Sequence, residues 1–144
     1  MSFYDKYVLP KLLDCCCSME GFQKKRKQVV PMAYGRVLEI GIGSGLNFDF
    51  YDFGKVNEIV GVDPAVNSVA IAKSRASKCQ SKISFVETTA ESIDLESSSF
   101  DSVVIGYSLC TIPDPIKALN EAHRLLKPNG SLFFMEHGLA PEPN

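Results

Sequence analysis

The 144-residue chain has little of what marks several large functional classes. It lacks an excess of charge of one sign: 15 Lys and Arg stand against 17 Asp and Glu, a formal net charge of -2. Nothing in that balance would draw the chain to nucleic acid or to an anionic membrane surface. Long apolar runs are missing as well. None approaches the roughly 20 residues that cross a bilayer, and the first residues lack the charged-then-apolar order of a secretory leader. A cytoplasmic protein without a transmembrane segment is therefore expected. The cysteines do not pair: five is an odd number, and Cys15, Cys16 and Cys17 are consecutive. Neither a disulfide framework nor a C-x-x-C zinc knuckle can be drawn, so reduced thiols and no metal site are expected. The length and a 45% hydrophobic content suit one domain with a sizeable core.

What the sequence does have is Val37-Leu38-Glu39-Ile40-Gly41-Ile42-Gly43-Ser44-Gly45, an apolar run that ends in an acid and gives way to alternating glycines. Val37 to Ile40 reads as a buried parallel strand. The glycines let the backbone turn sharply and approach a ligand before a helix that is expected to start near Leu46. A dinucleotide fingerprint would need Gly or Ala at position 46, where Leu46 stands. Glu39 at the strand's carboxyl end would repel a phosphate and suits a ligand carrying an ammonium and a sulfonium.

The rest of the chain supplies context. Residues 2 to 19 read as helical, with the Cys15–Cys17 run on the buried face, and Lys24-Lys25-Arg26-Lys27 reads as a solvated stretch because four consecutive charges cover all sides of a helix. Glu58 to Asp63 is a second apolar strand ending in an acid, followed by Pro64 and a helix through about Ser77. Asp63 lies 20 residues after Gly43, the interval at which a second-strand carboxylate meets ribose hydroxyls. Asp before Pro is also good helix-capping chemistry, and both roles are compatible. Ile83–Val86 is a third strand, Thr88 to Ser99 a polar connection, and Phe100–Gly106 a fourth strand. Asp114-Pro115 opens a helix that Pro128-Asn129-Gly130 stops. On it Ile116, Leu119, His123 and Leu126 fall on one side, which predicts His123 packed against the sheet. Leu132 to Met135 is a fifth strand, patterned for burial on both faces and ending at Glu136-His137-Gly138. Alternating strands and helices predict an α/β fold: a Rossmann-like doubly wound parallel sheet of order 3-2-1-4-5, entered through an N-terminal helical segment over 1–35, with the ligand-binding domain over 36–144.

These residues resemble the class I S-adenosylmethionine-dependent methyltransferases. The matching blocks are Val37 to Gly45, Gly61-Val62-Asp63-Pro64, Thr89-Ala90-Glu91, and Phe100-Asp101 through Leu125 to Gly130. Leu109-Cys110-Thr111-Ile112-Pro113-Asp114-Pro115, Phe134-Met135-Glu136-His137 and Tyr7-Val8-Leu9-Pro10 resemble the branch of ubiquinone/menaquinone-type, phospholipid and thiol methyltransferases. The resemblance implies S-adenosylmethionine as cofactor. Glu39, Gly41, Gly43 and Gly45 would surround its methionine part, Asp63 its ribose, and Pro64, Thr89 and Ala90 its adenine, while Tyr107 and Ser108 would border the methyl group. The implied activity is methyl transfer to a small-molecule or lipid acceptor, with a cofactor-binding module lacking independent catalysis as the alternative. Complete members continue past the fifth strand with a helix and two more strands, so the resemblance implies a chain truncated relative to the seven-stranded fold.

His137, at the carboxyl end of the fifth strand, is the candidate general base, needed for a carbon or alcohol acceptor and less for a thiol, which ionises readily. The apolar fifth strand, followed by Pro141 and Pro143, predicts an unpaired edge able to form a homodimer.

Overall fold

The structure, a computed structural model, describes residues 19–79 and 82–137. The expected helix over 2–19 with its cysteine run, and the prolines past Gly138, lie outside the described residues. Five strands form one sheet: β1 Gly35–Ile40, β2 Val56–Val62, β3 Lys82–Val86, β4 Phe100–Gly106 and β5 Leu126–Met135. Their order is β3-β2-β1-β4-β5, and every pairing is parallel, as the alternating pattern predicts. Helix α1 Glu20–Val29 and a 3-10 turn Val30–Met32 precede the sheet, α2 Val66–Ala76 joins β2 to β3, and α3 Pro115–Leu125 joins β4 to β5.

Successive residues of a strand point to opposite faces, and here both faces are covered. Leu38, Ile40, Val60, Val62, Val103 and Ile105 pack with Ala118, Ala122 and Leu125 of α3 on one side. Val37, Ile59, Val104 and Met135 pack on the other side with Val30, Ala33, Phe48, Tyr51 and Ala72. Val30 and Ala33 are fully buried, so the segment leading into β1 is part of the core. A polar clamp fixes α3 to the long connection before β4. The Arg124 guanidinium donates to the Ile93 and Leu95 carbonyls at 2.7 and 3.0 Å and to Glu121, whose carboxylate accepts the Ile93 N–H.

Four expectations are corrected. The first is the face of α3. His123 is exposed and Ile116 is 67% exposed; of the expected stripe Leu119 and Leu126 pack in part against the core, and the fully buried contact is made by Ala118, Ala122 and Leu125. Alanines let the helix approach the sheet closely, so the buried stripe is displaced from the one that bulk alone suggests. The second is where that helix ends: the chain leaves it at Leu126, which is extended (φ -69°, ψ 138°). Pro128 to Gly130 lie within β5, where the register jumps from Phe100↔Leu126 to Ser102↔Ser131. Thirdly, no α-helix follows the glycine turn. Only a 3-10 turn, Phe48–Phe50, fits into the short span before β2, because Phe48 and Tyr51 are drawn into the core. Lastly, β5 is buried on one face and open on the other. Phe133 and Met135 face α1, whereas Leu132 and Phe134 are 38% and 62% exposed, next to Val103 and Ile105 in register but beyond the reach of α3.

The α3 register is testable. His123→Ala should change unfolding free energy by no more than about 0.5 kcal/mol. Ala122→Leu, at a position 1% exposed, should cost about 1 to 3 kcal/mol by overpacking. Urea denaturation of the two variants checks both, and the reverse ranking would put His123 on the sheet.

Candidate functional site

The carboxyl ends of β1, β2 and β4 open onto a cavity of about 540 Å³. Parallel sheets bind ligands at this end, where strand order reverses between β1 and β4. Ten residues were expected to hold the cofactor, and nine of them line this cavity: Glu39, Gly41, Gly43, Asp63, Pro64, Thr89, Ala90, Tyr107 and Ser108. Gly45 does not; it lies under the Phe48 ring, where a Cβ would come within 2.5 Å of that side chain. His137 also stands outside, its ring packed against Tyr107 and Phe22 with centroids 5.1 and 5.4 Å away. The structure therefore does not bring the base candidate to the cavity.

At the centre is Glu39, the last inward acid of the middle strand and 2% exposed. Tyr51 donates its hydroxyl to one carboxylate oxygen at 2.7 Å, and the Asn47 amide donates to the other at 2.8 Å. The amide oxygen of Asn47 in turn accepts from Arg26 Nε at 2.9 Å. Burial pushes the Glu39 carboxyl from its ordinary 4.5 up to about 7, against the opposing pull of the Tyr51 and Asn47 hydrogen bonds and of the Arg26 charge, with Asp63 adding a small rise. The same burial, with Glu39 beside it, drives the Tyr51 phenol well above its usual value.

Backbone geometry shapes the floor. Gly41 has φ +70°, and a Cβ there would collide with the Ser108 side chain. The left-handed turn and the close approach thus both demand glycine. Asp63 is half-buried; Oδ2 accepts the Gly43 N–H at 2.9 Å and Oδ1 the Ala65 N–H at 2.8 Å. It therefore braces the glycine turn and forms an Asx-type turn before α2, whose N-cap is Ala65. Each carboxylate oxygen has a second lone pair, so Asp63 keeps acceptor capacity towards the cavity. Just past the end of β4, Tyr107 adopts φ +54°, a conformation rare outside glycine. Its N–H bonds the Met135 carbonyl at 2.7 Å, Glu136 accepts the N–H groups of Ser108 and Leu109 at 3.0 and 3.1 Å, and Ser108 Oγ donates to the Ile40 carbonyl.

Arg26, Asn47 and Tyr51, which form the hydrogen-bond network around Glu39, were not among the expected site residues. Arg26 was counted with a solvated charge run, yet it is 4% exposed and reaches the cavity wall from α1. A signal existed: Phe22, Val29 and Val30 lie four before and three and four after Arg26, which puts it on the apolar stripe of the helix. The set fits a ligand with a cationic end near Glu39 and hydroxyls near Asp63. It does not fit a pyrophosphate, which would face two carboxylates across the glycine turn.

The Glu39 carboxyl binds a proton in the folded protein over a range where the unfolded chain has released it. Between about pH 4.5 and 7 the native state therefore holds more protons, and stability falls as pH rises through that window. The loss from this group is complete a little above pH 7, with a ceiling of about 3 kcal/mol. Thermal melts of the ligand-free protein from pH 5 to 8 should show the decline, and Glu39→Gln, which stays neutral, should flatten it. A parallel decline in both proteins would assign it to other groups.

Comparisons with known proteins agree with this geometry. The family model described as "Methyltransferase domain" matches residues 38–134. The chain is 38% identical over 109 residues to the thiol S-methyltransferase TMT1B of Rattus norvegicus, covering 74% of this chain and 44% of that protein. It is 33% identical over 103 residues to the demethylmenaquinone methyltransferase of Lactococcus lactis, covering 69% and 41%. The chain thus spans less than half the length of these curated relatives. Among solved structures, the YcgJ protein from Bacillus superposes with a TM-score of 0.67 at 32% identity, over 81% of this chain and 49% of that one. With its sheet order, its glycine turn and this match over most of its length, the chain belongs to the methyltransferase-domain family of class I S-adenosylmethionine-dependent enzymes.

Proposed function

We propose that this domain binds S-adenosylmethionine in the β1–β2–β4 cavity and supports methyl transfer to a small-molecule or lipid acceptor. The observation that carries the reading is the pair of strand-end carboxylates on either side of one glycine turn: Glu39, buried, and Asp63, half-buried, both on the same cavity wall. Glu39 with the Gly41–Gly43 backbone would hold the amino-acid end, Asp63 the ribose hydroxyls, and Pro64, Thr89 and Ala90 the adenine. When bound, the sulfonium supplies a methyl carbon already activated for in-line displacement. The chain's own contribution is to position the reactants and exclude water. Tyr107 and Ser108 do this at the acceptor side, held by Met135, Glu136 and Ile40.

A second reading, a cofactor-binding module without independent catalysis, is favoured by one observation: His137 lies behind Tyr107 and off the cavity. Thiol and quinone-like acceptors, suggested by the names of the relatives, together with phospholipids, are the first to assay; turnover on any of them supports the enzyme. Binding without turnover on all three supports the module. The exposed apolar pair Leu132 and Phe134 on β5 supports a homodimer along that strand. Light scattering of the 144-residue chain should give twice the monomer mass, and a strict monomer removes the dimer.

Calorimetry should show S-adenosylhomocysteine bound and NADH not. Asp63→Ala should weaken S-adenosylhomocysteine binding by about 1 to 3 kcal/mol, the usual loss for hydrogen bonds to a charged group. Unchanged affinity takes Asp63 out of the ribose site, and tighter binding of NADH overturns the cofactor assignment.

A further inference from the structure

We propose that Arg26 binds the carboxylate of the cofactor's methionine moiety, so that α1, a helix outside the sheet, completes the amino-acid end of the site opposite Glu39. The assignment rests on the cofactor reading above. An α-amino acid end is zwitterionic, and a cavity that accepts it must meet a cation and an anion a few ångströms apart. Glu39 suits the ammonium. For the carboxylate the choice is narrow: the basic and acidic side chains lining the cavity are Arg26, Glu39, Asp63 and Glu91. Arg26 is the single cation among them, in the described residues.

The position of Arg26 is held from several sides. Its Nε donates to Asn47 Oδ1 at 2.9 Å, and the guanidinium carbon lies 5.4 Å from the centroid of the Tyr107 ring. Tyr107 in turn meets Phe22, one turn earlier on α1, edge-on at 4.8 Å. A guanidinium held between an aromatic ring and an amide is preorganised for a carboxylate, whose two oxygens match its fork of N–H donors. Asn47 links the two charges: its oxygen faces Arg26 and its nitrogen faces Glu39. This fixes the amide orientation and leaves the cation and the carboxylate one side chain apart.

Removing the charge from each side of the contact provides the test. Calorimetry is run on the wild type, Arg26→Met and Arg26→Lys with three ligands: S-adenosylhomocysteine, its decarboxylated counterpart S-adenosyl-3-thiopropylamine, and 5′-methylthioadenosine. Arg26→Met should weaken S-adenosylhomocysteine by about 10- to 100-fold and leave the two ligands without a carboxylate within about twofold, while Arg26→Lys recovers part of the loss. Equal weakening of all three ligands would reduce Arg26 to a residue that holds Asn47 and α1, and would overturn the assignment. The wild type gives a second reading that does not depend on any variant folding: equal affinity for S-adenosylhomocysteine and the decarboxylated ligand also overturns it. Failure of the wild type to bind any of the three defeats the cofactor reading itself, whereas binding of 5′-methylthioadenosine with no carboxylate preference defeats only the role of Arg26.

Discussion

The carboxylate of Glu39 is the constraint on which the functional end of this protein depends. It sits at the dry end of the central strand, and an acid there must either take up a proton or be met by donors. The chain does some of each. Tyr51 and Asn47 bring the segment after the glycine turn over the carboxylate, and Arg26 ties α1 to Asn47. Satisfying one buried side chain therefore organises three stretches of sequence. The cost that remains appears as a carboxyl raised to about 7, so the group sits near the point where an entering ammonium would drive it fully ionised.

The end of β4 is organised by a different device. Tyr107 is held at positive φ, which for a bulky residue persists only when its surroundings impose it. The Met135 carbonyl takes its N–H, and one oxygen of Glu136 takes the next two N–H groups in the chain. Ser108 Oγ then reaches back to the Ile40 carbonyl, close under Gly41. The ends of β1, β4 and β5 are thereby fastened together, and the glycine requirement at position 41 and the strain at Tyr107 become two sides of one contact.

Sheet order and the first four strands were legible because they depend on local patterns: apolar runs of strand length, an acid at two strand ends, and a proline opening α3. The face of α3 was not, since its contact with the sheet is made by Ala118 and Ala122, whose small side chains carry a weak apolar signal and gain their burial from close approach. The missing helix after the glycine turn has a related cause. Phe48 and Tyr51 stand three apart and look like a helical stripe, but both are needed in the core within a span too short for regular turns. Tertiary burial overrode propensity in both places.

The same division runs through the site. Residues proposed for the adenosyl end lie in short contiguous motifs, Asp63-Pro64 and Thr89-Ala90, each following the end of a strand. At the proposed amino-acid end the partners are far apart in the chain: Arg26 and Asn47 are separated by 21 residues, Glu39 and Tyr51 by 12. No local motif marks such pairs. What marks them is inconsistency, a charge on an apolar stripe and an acid on a buried strand. Glu39 was recognised because its strand is plainly buried, whereas Arg26 was masked by the lysines on either side of it. The exposed lysines satisfy the solvent-facing pattern of α1, and the one arginine among them occupies the position where the helix turns towards the sheet.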